Sequence, residues 1–217
     1  LTKGFLPTTK AEMDALGWEQ CDVILVSGDA YIDSPFIGVA VVGRMLEKLG
    51  YKVGIIGQPD VKSDKDIKRL GEPRLYWGVS GGSIDSMVAN YTATKKFRNS
   101  DDYTPGGKNT KRPDRAVLVY TNLIRQNFKD TVPIVLGGIE ASLRRVTHYD
   151  YWTNKLRKPI LFDSKADILI YGMGEQAIRD LTQALDSGSE WRDIRGVCYI
   201  SKEPVEKYHQ LPSHQDC

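Results

Sequence analysis

The sequence predicts an open α/β fold, with a mostly parallel, flavodoxin- or Rossmann-like sheet between two layers of helices. Short apolar runs of the kind that form strands buried on both faces recur along the 217 residues. A glycine lies at or within a residue of the end of each main run, where the chain can turn sharply. A helical pattern then follows. Alternation of strand and helix, repeated about five times, is typical of a parallel sheet with right-handed crossovers.

Five strands are expected, at 23–27, 53–56, 75–79, 134–136 and 168–171. The helices between and after them are expected at 34–49, 63–70, 85–93, 116–128, 140–145 and 176–185. Ser34 and Pro35 suit the N-cap and first turn of the helix at 34–49. A short extra strand is predicted at 159–162, and a sixth strand at 196–201.

The domain organisation follows from the same pattern. Residues 1–20 form an entry segment, in which Thr8 or Thr9 caps a short helix and Glu12 completes a capping box. Residues 21–201 form the α/β domain, interrupted by a polar insertion at 94–115. The segment after 201 is a polar tail that runs to 217. Because the chain lacks an initiator Met, we expect it to be cut from something longer.

Composition excludes several classes of protein. Hydrophobic residues are 41% and charged residues 27% of the chain, which is ordinary globular usage and enough for a sizeable core. A net charge of +2 does not by itself indicate nucleic acid or a membrane surface. No apolar run approaches a membrane span, and the first residues lack the core of a signal peptide. Three distant cysteines without a C-x-x-C pair favour a reducing, cytoplasmic compartment.

The ends of the predicted strands are the candidate site, because ligands of open α/β sheets lie at the carboxyl ends of the strands. Glycine-rich turns there let backbone N–H groups meet a polar edge of a ligand. Glu140 and Glu175, just past two of these turns, occupy the positive ends of their helices and repel phosphate, which favours ligand hydroxyls or amides instead. The predicted binding residues are Asp29, Tyr31, Ser80, Gly81, Gly82, Gly137, Gly138, Gly172, Gly174 and Glu175.

Nucleotide-binding and catalytic motifs are missing from these turns. The sequence has no Walker lysine motif and no G-x-G-x-x-G after its first strand. Asp29 and Asp33 are either paired acids for catalysis or a metal, or loop hydrogen-bonders and helix caps, which is the interpretation we favour. The first option leaves a stand-alone α/β enzyme or small-ligand-binding domain as an alternative. We predict no catalytic residue and no metal ligand; His209, His214 and Cys217 lie in the polar tail.

Two polar-aromatic segments have alternative interpretations. The insertion at 94–115 interleaves basic residues with Phe97 and Tyr103, a pattern that can contact RNA, although a solvated loop is the interpretation we favour. Loops of this length are uncommon unless they are functional or disordered. Arg144 and Arg145 together with 148–152 form either a rim facing a ligand or a packing patch against a missing neighbour, and we favour the patch.

Several long motifs carry a family resemblance. They are GDAYIDSPFIGVAVVGRMLE at 28–47, RLYWGVSGGSIDSMVANYTA at 74–93, YTPGGK at 103–108, KRPDRA at 111–116, PIVLGGIEASLRR at 133–145, HYDYW at 148–152 and DSKADILIYGMGE at 163–175. They resemble the N-terminal domain of the YgiQ-type radical-SAM proteins. The glycine turns more loosely resemble the cobalamin-binding domains that precede many radical-SAM barrels.

The resemblance implies a flavodoxin-like domain joined to a downstream barrel. Such a barrel holds a [4Fe–4S] cluster through C-x3-C-x2-C and cleaves S-adenosylmethionine reductively. This chain has no C-x3-C-x2-C, so we expect the catalytic half to lie beyond Cys217. A base-off cobalamin domain carries D-x-H-x-x-G after its first strand, and Tyr31 stands where that His would be. Cobalamin binding without a His ligand stays possible.

The sequence therefore predicts a cobalamin-domain-like accessory module of a radical-SAM protein. Its expected task is to cover the barrel mouth and position a cofactor or substrate, with the barrel of the same polypeptide and a small molecule as partners. We expect this chain alone not to perform radical chemistry. The alternatives are an RNA-contacting module that uses the basic insertion, and the stand-alone domain described above.

Overall fold

A computed structural model describes residues 4–205 and 209–216 of the chain. Cys217, which the sequence places in the polar tail with His209 and His214, lies outside the described residues. The strands are β1 (Val23–Ser27), β2 (Val53–Gly57), β3 (Tyr76–Ser80), β4 (Ile134–Gly137), β5 (His148–Asp150), β6 (Lys155–Arg157), β7 (Ile168–Ile170) and β8 (Val197–Tyr199). The helices are α1 (Lys10–Ala15), α2 (Gly38–Lys48), α3 (Lys65–Lys68), α4 (Ser86–Asn90), α5 (Ala116–Asn127), α6 (Gly138–Leu143), α7 (Ile160–Ser164) and α8 (Glu175–Ser187).

Six strands form one sheet in the order β2-β1-β3-β4-β7-β8. The first five are parallel, and β8 adds an antiparallel edge to β7. The open, mostly parallel α/β fold is therefore confirmed, and the sixth predicted strand is present. The chain leaves β1 for β2 on one side and returns for β3 on the other, so the topological switch point lies between β1 and β3.

Helices cover both faces of the sheet, because successive residues of a strand point to opposite sides. In β1, Val23 and Leu25 pack in the core beneath α2 and α8, together with Ala40 and Ile178. Ile24 packs in the opposite core, beneath α1, α3, α5 and α7. Since every residue of β1 is buried, the strand is a continuous apolar run with a single terminal serine.

The N-terminal helix forms as its sequence predicts. Thr9 is the N-cap of α1: its side chain accepts the amide of Glu12, and the Glu12 carboxylate accepts the Thr9 amide at 2.9 Å. This is the predicted capping box. The preceding segment runs beside the edge strand β2, where the Ile55 amide donates to the Pro7 carbonyl. The entry segment therefore covers an otherwise open edge of the sheet.

Several predicted boundaries are wrong. Residues 159–162 do not form a strand: Pro159 is the N-cap of the helix α7, because its fixed φ suits a helix start. Ser34 does not cap α2, which begins at Gly38; its hydroxyl accepts the Phe36 amide in a separate turn. The helix predicted at 85–93 is only the five-residue α4, with Asp85 as its N-cap.

The insertion at 94–115 is not the solvated loop that we favoured. It folds back across the carboxyl edge of the sheet, with Asp101, Thr104, Asn109 and Arg112 buried. Thr104 Oγ1 donates to Asp101 at 2.8 Å, and the side-chain amide of Gln58 at the end of β2 donates to Thr104 Oγ1 at 2.6 Å. Buried polar groups with these partners make the insertion an integral part of the domain.

The segment at 148–152 is a packing patch, but it packs within the chain and not, as we expected, against a missing neighbour. β5 pairs with β6 as a hairpin, and the Tyr151 hydroxyl donates to the Ala93 carbonyl at 2.8 Å. The Trp152 ring lies 4.9 Å from that of Tyr91. The hairpin thus packs against the residues that lead into the insertion. Across the described residues, 4–205 and 209–216, no helix is long and apolar enough to span a membrane.

Candidate functional site

A cleft of about 460 Å³ opens at the carboxyl edge of the sheet, between the strands and the helices α2 and α8. Its floor is formed by residues on one face of four neighbouring strands: Leu25 of β1, Val135 of β4 and Ile170 of β7, with Gly78 of β3 between them. Ile178 of α8 closes one wall. The volume lies in the range of small-molecule sites, and the position next to the switch point is the expected one.

Most of the predicted binding residues meet at this cleft. Eight of the ten line it: Asp29, Ser80, Gly82, Gly137, Gly138, Gly172, Gly174 and Glu175. They come from four separate strand ends, and the parallel register of β1, β3, β4 and β7 brings them together. Ser27 and Ser83 add two further hydroxyl groups to the lining. The strand-end pattern of the sequence thus predicts the edge where a ligand site can form.

Gly137 and Gly138 contribute to the cleft in different ways. Gly138 has φ +79°, and a Cβ there would lie 2.6 Å from the Ser80 hydroxyl oxygen, so the position requires glycine. Gly137 has an extended backbone, φ −153°, that any residue adopts. Apart from Gly137 itself and its two chain neighbours, no atom of the described residues lies within 4 Å of the point where a Cβ at 137 would stand. A side chain at 137 therefore enters the open cleft without a clash.

Asp29 is held at the cleft by a buried ionic network. Its Oδ2 accepts hydrogen bonds from the Ser83 amide at 2.6 Å and the Ser83 hydroxyl at 2.7 Å. Its Oδ1 lies 2.8 Å from Nη1 of Arg112, whose side chain is fully buried. Arg112 also pairs with Asp101 at 3.2 Å and donates to the Gly81 carbonyl at 2.7 Å. The insertion thereby fixes the turns after β1 and β3.

Glu140 lies in the first turn of α6, as expected, but its carboxylate binds the amides at the starts of two other helices. Its carboxylate is buried and accepts the amides of Ser86 at 2.9 Å and Val117 at 3.2 Å, at the starts of α4 and α5. Burial raises the pKa of Glu140, and the nearby Asp85 raises it further. Glu140 therefore joins two other helix starts behind the cleft. Glu175 stands in the first turn of α8, as expected.

Tyr31 and Gly81 lie off the cleft. The Tyr31 hydroxyl accepts the Leu6 amide at 3.2 Å, and its ring packs edge-on against Phe5 of the entry segment. Gly81 faces Arg112 through its carbonyl. Asp33 accepts hydrogen bonds from Nε of Arg44 at 3.0 and 3.1 Å, and these bonds lower its pKa. Because Asp29 pairs with Arg112 instead, the two aspartates do not form a catalytic pair.

The mouth of the cleft carries exposed apolar side chains that the sequence analysis missed. Phe36 is 88% exposed and Met173 is 92% exposed, and both line the cleft together with the partly exposed Ile139. Each stands where a strand-end turn enters a helix. The sequence carries no signal for this: Phe36 stands three and four residues before the buried Val39 and Ala40, which is core spacing. It is exposed because α2 begins only at Gly38.

The described residues contain no group of histidines, cysteines and carboxylates that can hold a metal ion. Cys21 is buried, and burial raises the pKa of its thiol to about 12. Burial also raises the pKa of the Cys198 thiol. The His214 ring lies 3.2 Å from the Thr147 hydroxyl, while His209 is exposed. Within the described part of the chain, no cluster-binding site is present.

Comparison with known proteins identifies the class. Residues 5–217 match the protein family described as Radical SAM N-terminal. The chain belongs to this family.

Curated relatives cover nearly the whole chain. A UPF0313 protein of Fusobacterium nucleatum is 63% identical over 214 residues, and one of Thermotoga neapolitana is 56% identical over 215; each match covers 98% of this chain. A UPF0313 protein of Shewanella oneidensis is 49% identical over 217 residues. This chain spans 38% of the length of the first two relatives and 28% of the third. The predicted family resemblance is confirmed.

Solved structures support the fold. The radical S-adenosylmethionine methyltransferase TsrM from Kitasatospora setae, with tryptophan substrate and a SAM analogue bound, superposes with a TM-score of 0.55 at 17% identity. A TsrM structure with cobalamin and a [4Fe-4S] cluster bound gives 0.53 at 18% identity. Both matches cover 83% of this chain and under a third of TsrM. At this identity the likeness concerns the fold alone.

Proposed function

We propose that this chain is the accessory α/β domain of a radical-SAM protein, and that its cleft holds part of a cofactor or substrate. The observation that carries the proposal is the cleft itself. It combines an apolar floor, glycine backbone and serine hydroxyls at the carboxyl ends of four parallel strands. Apolar walls with a few convergent polar groups are the usual make-up of a small-molecule site.

A corrinoid is the cofactor that we test first, because one TsrM structure contains cobalamin. The apolar floor fits a flat ring system or methylated edge, and Ser80 and Ser83 suit amide groups at its periphery. Among the described residues, no histidine or cysteine lines the cleft, so this lining supplies no imidazole or thiolate to cobalt. Tyr31, off the cleft, does not replace them. When bound, a corrinoid supplies radical or group-transfer chemistry.

The described residues of this chain do not fit an iron–sulfur cluster. Cys21 and Cys198 are the described cysteines, both with raised pKa values, whereas cluster ligands are thiolates. We therefore place the cluster and S-adenosylmethionine in another domain of the polypeptide, downstream of this one. Free cysteines in the described residues also support our proposal that the protein is cytoplasmic.

The exposed apolar rim supports a covering partner. Phe36 and Met173 project at the cleft mouth. In a domain without a covering partner, polar side chains are expected at such an exposed position. Since relatives are more than twice as long as this chain, the rest of the polypeptide is available to cover the rim. We propose that the catalytic barrel does so, which would enclose the cleft and its ligand.

A titration with hydroxocobalamin tests the proposal. We expect the native chain to bind it, as measured by equilibrium dialysis. Gly137→Leu fills the cleft without a backbone clash and should abolish binding. Gly4→Leu is the matched control, because Gly4 also has open space around its Cβ position but does not line the cleft. Binding that survives Gly137→Leu, or that Gly4→Leu removes equally, would contradict the proposed site.

A further inference from the structure

The insertion and the segment 144–158, which runs from the C-cap of α6 through the β5–β6 hairpin, concentrate the positive charge of the chain. Residues 94–115 contain seven basic and three acidic residues, and residues 144–158 contain five basic and one acidic. The two segments together carry a net charge of +8, whereas the whole chain carries +2. The remainder is therefore net negative. Such an asymmetry creates a local field for a polyanion that the small overall charge conceals.

Direct contacts join the two segments into one surface. Lys95 Nζ donates to the Tyr151 carbonyl at 3.2 Å and lies 4.7 Å from the centroid of the Tyr151 ring. It also lies 5.8 Å from the centroid of the Trp152 ring. Tyr91 packs against Trp152 from the insertion side. Aromatic contacts and a cation–π contact thus hold the segments in a fixed relation.

Aromatic rings on this surface are open to solvent. Phe97, Tyr149 and Tyr151 are each at least half exposed. Phe97 is held edge-on against Tyr91 at 5.6 Å, and the Tyr149 hydroxyl donates to Asn154 across the hairpin turn at 2.5 Å. Because each ring is already held in place from one side, a ligand that stacks on its free face costs little side-chain entropy.

The acidic residues of these segments are mostly engaged internally. Asp101 is buried against Arg112, and Asp150 is buried against Arg115 and Arg157. In contrast, Lys96, Lys108 and Lys111 are exposed, and none of the ion pairs found among the described residues involves them. Their charge faces the solvent.

We propose that this surface binds single-stranded nucleic acid. Unpaired bases stack on Phe97, Tyr149 and Tyr151, and the phosphate backbone meets Lys96, Lys108 and Lys111. Stacking requires bases whose faces are free, which a single strand offers and a duplex does not. An acidic protein partner would contact the lysines but would not require the exposed aromatic rings. These six residues do not line the cleft, so the surface functions independently of the ligand site proposed above.

Fluorescence anisotropy with labelled oligouridine and oligothymidine tests the proposal on the 217-residue chain. A duplex of equal length and unlabelled heparin serve as comparisons. We expect tighter binding to at least one single strand than to the duplex, with affinity falling steeply between about 50 and 200 mM salt. Binding to none of the oligonucleotides at the lower salt concentration, or equal binding to the duplex, overturns the proposal.

Variants separate the charge from the stacking. Lys96→Gln combined with Lys111→Gln should reduce the slope of log affinity against log salt by about 1.4, because each neutralised phosphate contact contributes about 0.7 for single strands. Lys48→Gln combined with Lys52→Gln is the matched control: both residues are exposed at the opposite edge of the sheet. The control should leave the slope unchanged, and an equal effect overturns the assignment.

Phe97→Leu tests the stacking directly, since leucine keeps an apolar side chain without a ring face. We expect single-strand affinity to fall at least about fivefold, with the salt slope retained. Heparin binding should stay unchanged in this variant. If Phe97→Leu binds the single strands as tightly as the native chain does, the surface is only a general polyanion site and the proposal fails.

Discussion

Replacing Arg112 tests whether the insertion is an integral part of the domain. The guanidinium is fully buried between Asp29 at 2.8 Å and Asp101 at 3.2 Å. Arg112→Met keeps an apolar side chain of similar length but leaves both carboxylates buried without a cation. Breaking a buried ion pair from one side typically costs about 3–5 kcal/mol, so we expect a loss of about 3 kcal/mol or more in the free energy of unfolding.

Urea-induced unfolding followed by circular dichroism measures this loss. Arg74→Ala is the control, because Arg74 also pairs with two aspartates, Asp22 and Asp186, but is 47% exposed in its side chain. An exposed network of this kind should cost about 1 kcal/mol or less. If Arg112→Met destabilises the chain no more than Arg74→Ala does, the insertion is not anchored by this network and our account of Asp29 is refuted.

Three further predictions address single positions. Gly138→Ala should lower the free energy of unfolding by about 1 kcal/mol or more, because of its φ of +79° and the nearby Ser80 hydroxyl, whereas Gly137→Ala should change it by less than about 0.5 kcal/mol. Burial raises the pKa of Glu140, so the stability that its carboxyl group contributes is fully present below the pKa of the unfolded chain and is lost as pH rises through the folded pKa. Urea unfolding should therefore show that the free energy of unfolding of Glu140→Gln, relative to that of the native chain, increases from acidic to neutral pH. Cys21, with its pKa raised to about 12, should resist alkylation by iodoacetamide until the chain is unfolded, as mass spectrometry would report; modification of the folded chain would contradict its burial.

The sheet could be predicted because a strand that is buried on both faces is a continuous run of apolar residues in the sequence. β1 and β4 are clear examples, and each ends in the turn that the next residues indicate. Short helices were harder to predict: α7 has only five residues, too few for a helical period to show against a strand. The start of α2 was misplaced because Ser34 and Pro35 form a turn that carries the same signals as a helix cap.

The strand-end turns of the candidate site could be predicted from the sequence, but the packing of the helices that form its walls could not. Glycines at strand ends mark where a parallel sheet can accept a ligand, so Gly137 and Gly138 were found. The cleft itself depends on how α2 and α8 pack on the sheet, which is tertiary information. Arg112 gave no local sign of its role, because its partners Asp29 and Asp101 become neighbours only after the insertion folds onto the sheet.

We propose above all that the cleft between the sheet, α2 and α8 binds a ligand. Carbon-13 methyl NMR of the chain, titrated with hydroxocobalamin, tests it most directly. Met173, Ile170 and Ile178 line the cleft, whereas Ile56 and Ile67 lie in the opposite core. We predict shifts of the first three methyl resonances that saturate with ligand, with the other two unchanged. Saturable binding that shifts Ile56 and Ile67 instead, or no shift at any of the five, would contradict the account.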